Sequence, residues 1–245
     1  MNSCPNVDFY GDEYHQFQWD VNVLIKGTLD ASIRYLDMKV QTDLAEIKSA
    51  LETSHDDEHQ QYLVDEHVDV LETNREQERF LRNMALVALS SRLTHALRNM
   101  TKSAESFSPR RKRYGDKRMG EYRCLWLEYT ERFGIDFVAN AGRIEFVETM
   151  REVRNQIVHD GGEANTFKFN SKTDWNKGVT AFLDFWFSEK YPDYVSGDGI
   201  GAEVNVSREQ LDKAVDASIS LVGWLAKELR AMELSSNKNR KNDVP

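Results

Sequence analysis

Seven apolar side chains, Leu29, Ile33, Leu36, Val40, Leu44, Ile47 and Leu51, recur at steps of three or four. A half-buried strand alternates at two, so this spacing commits the segment to one amphipathic helix, predicted over 28–53. The same logic carries through most of the chain. A looser helical stretch starts near Glu58 after the turn Ser54–Asp57, and the pattern strengthens from Asn74 to Lys102 through Phe80, Met84, Val87, Leu93, Leu97 and Met100. Further helices are predicted from Glu121 to Phe133, stopped by Gly134, and from Ile135 to Val158, stopped by Gly161-Gly162. Another is predicted over the aromatic-rich run Asp174–Lys190, and a last one opens at a Ser207/Gln210 capping box. With four prolines in 245 residues, little interrupts them, and the fold class is all-α.

Three segments stand apart from this pattern. Residues 1–28 mix Phe9, Tyr10, Tyr14, Phe17 and Trp19 with acids in no single period, which suggests a packed N-terminal arm. Tyr191–Val206, with a proline and three glycines, reads as a loop holding a short extended piece. From Ser235 on, the polar run cannot build a core and is expected to be a disordered tail. The domain reading is therefore an acidic arm and helices over 1–75, a helical domain over 76–234, and the tail over 235–245.

Charge narrows the list of partners. Residues 1–80 hold 18 acidic and 6 basic side chains, a balance of −12 within a chain of net charge −9. A polyanion would avoid that part and approach the later one, where Arg110, Arg111, Lys112, Arg113, Lys117 and Arg118 surround Tyr114. Those cations and one stacking ring suit single-stranded RNA, although a solvated loop or a contact with the acidic N-terminal part reads equally well. No apolar run is long enough to cross a bilayer, and the start, Met1–Pro5 followed by acidic and aromatic residues, lacks the basic and apolar parts of a signal peptide, so neither a span nor a signal peptide is expected. Two distant cysteines, Cys4 and Cys124, offer neither a disulfide framework nor zinc spacing, so no metal or cofactor is expected and the location reads as cytoplasmic. His55, His59 and His67 lie among acids without the His-Glu-x-x-His spacing and read as a solvated helix start.

The chemistry concentrates at Arg154-Asn155-Gln156-Ile157-Val158-His159, just before Asp160-Gly161-Gly162. Phe146, Met150, Val153 and Ile157 form an apolar face, and Arg154 falls inside it beside Val147 and Val158. A guanidinium buried there needs a carboxylate from another helix or a ligand phosphate. His159, five residues on, is turned by about 140° from Arg154 on an ideal helix. For the two to act together, either the helix ends early enough for His159 to swing back, or a second subunit completes the site. Glu148, Arg151, Asn155 and His159 form a polar stripe that extends the cleft or is simply solvated. A further stripe, Arg92, His95 and Asn99, invites the same two readings.

Arg154-Asn155-x-Ile157-Val158-His159, late in a helix, resembles the Arg-x4-6-His signature of the HEPN superfamily, over residues 76–234. The resemblance implies an all-α HEPN-like helical bundle that dimerises, with the acidic helical N-terminal region as an addition. It also implies metal-independent endoribonuclease activity without a cofactor, as in toxins and antiviral-defence effectors. In that case His159 would be the general acid or base, Arg154 the phosphate stabiliser and Asn155 a hydrogen-bond donor. Arg151, Arg110, Arg111, Lys112, Arg113 and Tyr114 would bind the RNA substrate. An antitoxin or defence-complex partner would restrain the enzyme. Other members of the superfamily have lost catalysis, so a homodimeric binding or scaffold subunit stands as the alternative, and there Arg154 is structural and His159 only caps the helix. A third reading has the acidic N-terminal helices capture a basic partner.

Overall fold

The computed structural model describes residues 8–108, 121–169 and 181–242, and within these the chain is predominantly helical. In order it forms α1 (Phe9–Trp19), α2 (Thr28–Thr53), α3 (Asp57–Ser103), α4 (Glu121–Leu127), α5 (Ala141–His159), β1 (Thr166–Phe169), β2 (Ala181–Asp184), α6 (Trp186–Lys190), β3 (Val195–Ser196), β4 (Glu203–Val204) and α7 (Arg208–Asn242). Two compact units interleave along the sequence. One comprises 1–22, 88–154 and 212–245, and the other 23–87 and 155–211. Helix α3 runs unbroken from Asp57 to Ser103, through residue 75.

The first unit is organised around rings and leucines. Leu89, Leu93, Ala96, Leu97 and Met100 of α3 are completely enclosed, as are Tyr129, Val147, Val153, Leu221 and Leu225. Within the N-terminal arm, Phe9–Trp19 is helix α1 and Asp20–Gly27 continues it as a π-helix, with Phe17 and Tyr10 buried and Trp19 half exposed. Its mixed pattern hid this, since Arg92 reaches across from α3 to pair with Glu13 and Asp20 and lies over the Phe17 ring. Asn99 donates to Glu13 and contacts His95, so the Arg92/His95/Asn99 stripe is tied to α1. α4 continues into a π-helical turn, Glu128–Arg132, before Gly134 takes φ +66° and ends it at the predicted place.

That turn holds the buried ion pair of this unit. Arg132 bonds Glu128 at 2.6 Å, the two side chains being 3% and 6% exposed. The same Nη1 also donates to the Thr101 carbonyl at 3.2 Å, Nε and Nη2 donate to the Ser108 carbonyl, and the guanidinium lies over the Phe133 ring. Each polar atom taken from water here has a partner, which is what makes a buried pair tolerable. Tyr129, one residue after Glu128, donates to the Leu97 carbonyl at 2.9 Å. Burial raises its pKa well above the ordinary tyrosine value, and the Glu128 carboxylate adds to the effect.

In the second unit, α2 occupies the 28–53 range read from its heptad-like spacing. Asn83 supplies the clearest tertiary lock: its amide donates to the Val204 carbonyl at 2.9 Å and accepts from Val206 N–H at 3.1 Å. Arg82 donates to the Val206 carbonyl at 2.8 Å, and Arg79 pairs with Glu203. The extended piece predicted within 191–206 is the antiparallel pair β3–β4, with Val195 opposite Val204.

Two expectations are corrected. Asp174–Lys190 is not one helix: β1 and β2 pair antiparallel, with Thr166 opposite Asp184 and Phe169 opposite Ala181, and among the described residues of that range only Trp186–Lys190 is helical. Aromatic residues fit a pleated pair as well as a helix, and a short apolar run does not reveal which partner it finds. Nor is the polar stretch from Ser235 a disordered tail as far as Asn242, since α7 continues through it. Extending a helix that tertiary packing has already nucleated costs far less than starting one. The capping box itself forms: Gln210 N–H donates to Ser207 Oγ at 3.1 Å, and Ser207 N–H to Gln210 Oε1 at 2.7 Å.

Candidate functional site

Helix α5 carries the Arg154–His159 motif, and both of its ends are set locally. Its predicted start at Ile135 shifts to Ala141, because Ile135 N–H closes the preceding helix end onto the Tyr129 carbonyl at 3.2 Å. The Asp136 carboxylate then accepts Val138 N–H at 2.9 Å, and the Phe137 ring meets Trp126 and Trp224, each at 5.5 Å between centroids. These residues serve the aromatic core rather than a helical first turn.

At the other end Gly161 and Gly162 take φ +67° and +88°. Gly162 N–H donates to the Gln156 carbonyl, six residues back, at 3.3 Å, and Asp160 N–H reaches the same carbonyl at 3.2 Å. The Gln156 side chain donates forward to the Glu163 carbonyl at 2.6 Å. The double glycine therefore ends the helix as predicted, immediately after the motif. His159 is the last helical residue and is exposed, where a cationic imidazole would meet the negative end of the helix dipole.

Along α5 the buried stripe is Val147, Met150, Val153 and Gln156, while Phe146 and Ile157 are only half-buried. Arg154 borders this stripe and is half-buried, so it is not the fully enclosed guanidinium its apolar neighbours suggested. Val158, expected beside it, is 45% exposed. The helix stays regular through His159, and five residues turn it by about 140°, so a single chain sets Arg154 and His159 on different sides of α5. The early helix end that would have swung His159 back does not occur.

Asn155 is half-buried next to Arg154. In the polar stripe, Glu148 and His159 are exposed and Arg151 is half-buried. Arg151 bonds Glu152, its neighbour in sequence, so part of the guanidinium assigned to substrate is already occupied. Arg110, Arg111, Lys112, Arg113 and Tyr114 lie outside the described residues.

No protein-family model, curated protein or solved structure matches this chain. Among the described residues no helix is long and apolar enough to cross a membrane, and no group of three or more His, Cys, Asp or Glu side chains is placed to hold a metal ion. His55 and His59 are exposed and His67 is half-exposed in and just before the first turns of α3, where His59 stacks on Tyr62.

Proposed function

We propose that this chain is a HEPN-like endoribonuclease that works as a homodimer and requires no metal. The observation that carries the reading is the end of α5. An arginine bordering the core, an amide beside it and an exposed imidazole share the last two turns, which a double glycine then closes.

Since Arg154 and His159 face different sides of one helix, the working cleft needs a second copy of α5. His159 takes the proton of the ribose 2′-hydroxyl or gives one to the leaving oxygen, the exchange an imidazole performs near neutral pH. The 2′-oxygen bonds the adjacent phosphorus, the bond from phosphorus to the 5′-oxygen breaks, and the products are a 2′,3′-cyclic phosphate and a 5′-hydroxyl. Arg154 steadies the charge that gathers on the phosphate oxygens, and Asn155 donates a hydrogen bond to them. Arg151 and the basic segment with Arg110, Arg111, Lys112, Arg113 and Tyr114 hold the RNA through its phosphates and one base. Such an enzyme needs restraint in its host, which fits a toxin with an antitoxin, or a defence effector inside a complex.

The test is purified wild type and His159→Ala incubated with total RNA in excess EDTA, with end-group analysis of the products. Cyclic phosphate ends made by wild type and absent from a folded, dimeric mutant support the reading. Loss of cleavage in EDTA, or cleavage of DNA, overturns the mechanism. Intact RNA with both proteins moves the assignment to a non-catalytic HEPN-like scaffold. The placement of His159 away from Arg154 within one chain favours that second reading, in which His159 caps α5 and Arg154 holds helices together.

A further inference from the structure

A cavity of about 550 Å³ opens in the first unit between α1, the start of α5 and α7. It is separate from the motif at the end of α5 and does not depend on the ribonuclease reading. Its size lies within the range of small-molecule sites. We propose that it binds a small phosphate ester carrying a planar ring, of the nucleoside monophosphate kind.

The first argument is charge. Arg143, Lys227, Arg230 and His15 line the cavity against one acidic residue, Asp8, in a chain whose net charge is −9. Asp8 is already committed on both oxygens: one accepts Gly11 N–H at 3.1 Å as the cap of α1, and the other pairs with Arg230. It fixes Arg230 in place and leaves the charges of Arg143 and Lys227 unbalanced within the lining. A phosphate dianion is the ligand that two or three cations lining one cavity favour, whereas a single carboxylate would satisfy only part of them.

The second argument is ring geometry. Tyr14 and Trp224 also line the cavity. Trp224 is held edge-on to Phe137 at 5.5 Å, so its plane is set by the core. Tyr14 lies directly on the backbone of α7, where a Cβ at Gly223 would sit 2.9 Å from its Cε2. Gly223 is thus the residue that admits the Tyr14 ring. Lys227 and Arg230 follow Gly223 by four and seven residues, which returns them to the same side of α7. Rings near Gly223 and cations one and two turns further along match a ligand with a flat end and an anionic end.

Calorimetric titration of the full chain with adenosine and guanosine monophosphates decides the matter. Saturable binding below about 1 mM is expected, with adenosine and inorganic phosphate each weaker by about tenfold or more. The double variant Arg143→Ala/Lys227→Ala should lose at least about tenfold in affinity while keeping its helical circular dichroism. Gly223→Leu should abolish binding by displacing Tyr14, and Lys39→Ala in α2 should change nothing. Equal affinity for inorganic phosphate and the monophosphates overturns the ring assignment. Absence of binding at about 1 mM overturns the site, as does an unchanged affinity in a well-folded double variant. An oligonucleotide bound about tenfold tighter than the monophosphate overturns the small-ligand class.

Discussion

The two halves of α3 are one continuous helix and behave as different materials. From Asp57 to Arg82 it buries Leu63 alone, whereas from Leu86 to Thr101 nearly every turn sends a side chain into a closed core. Tyr62, Val64, Val68 and Phe80 stay largely exposed on the first half, among a run of acids. A helix this long does not need uniform support, because propagation from a well-packed end carries the rest. The difference between the halves lies in what their side chains meet, and that makes it measurable.

The largest expected effect lies where the packed half ends. Arg132 satisfies the Thr101 carbonyl in the last turn of α3 while neutralising buried Glu128. Arg132→Ala strands a buried carboxylate and should destabilise the protein by about 3–5 kcal/mol. Arg132→Lys keeps the charge but lacks the planar fork, and should recover only part of the loss. Urea unfolding measures both, and a loss below about 1 kcal/mol for Arg132→Ala would show that the pair is solvated after all.

This pair also marks where sequence reading succeeded and where it stopped. An arginine among apolar neighbours at Arg154 pointed to a buried guanidinium, yet Arg154 sits at the border of the core and Arg132 is the enclosed one. The available signal was Glu128 and Arg132 four residues apart, within a segment that also carries Tyr129 and Phe133. Features decided within one turn of chain were legible: the span of α2, the stops at Gly134 and Gly161-Gly162, and the Ser207/Gln210 box. Features decided by a distant partner were not. The β1–β2 pairing, α1 beneath Arg92 and the cavity beside Gly223 each depend on segments far apart in sequence. The Arg154 and His159 positions on α5 were legible as helix geometry.

On the second unit's side of α3 the strongest fixed point is Asn83. Its amide closes two backbone bonds, to the end of β4 and to the segment that follows it, at a site only 7% exposed. Asn83→Ala leaves a buried N–H and a buried carbonyl without partners and should cost about 2 kcal/mol. Asn83→Asp retains the acceptor for Val206 but loses the donor to Val204, so most of the loss should persist. A smaller cost would mean that water replaces the amide. That outcome would extend the loosely held first half of the helix as far as residue 83.

Alkaline pH offers a softer probe of the packed half. Tyr129 keeps its proton to higher pH in the folded state than in the unfolded chain because it is buried and lies near Glu128. Tyr10 shifts the same way through burial and then Glu233. A raised phenol contributes stability that is complete below the unfolded tyrosine pKa of about 10 and is lost as pH rises through the folded value. Stability should therefore fall above about pH 10. Tyr129→Phe should lose about 1 kcal/mol at neutral pH with its bond to Leu97, yet fall less steeply in alkali. Parallel wild-type and variant curves of stability against pH would remove Tyr129 as the cause.

The smallest effects belong to the acidic first half and are the most discriminating. Tyr62 and Val68 are 61% and 46% exposed, so truncating either to alanine removes little buried surface and should change stability by no more than about 0.5 kcal/mol. Leu97→Ala, the same truncation made in the closed core, should cost about 2–5 kcal/mol. Amide hydrogen exchange should show the matching contrast, with residues 57–82 opening at lower free energy than residues 89–103 of the same helix. If Tyr62→Ala or Val68→Ala costs more than about 1 kcal/mol, or exchange is uniform along α3, then something covers the first half in solution. Concentration dependence of that cost separates a second copy from a contact within one chain, since only association makes apparent stability rise with protein concentration.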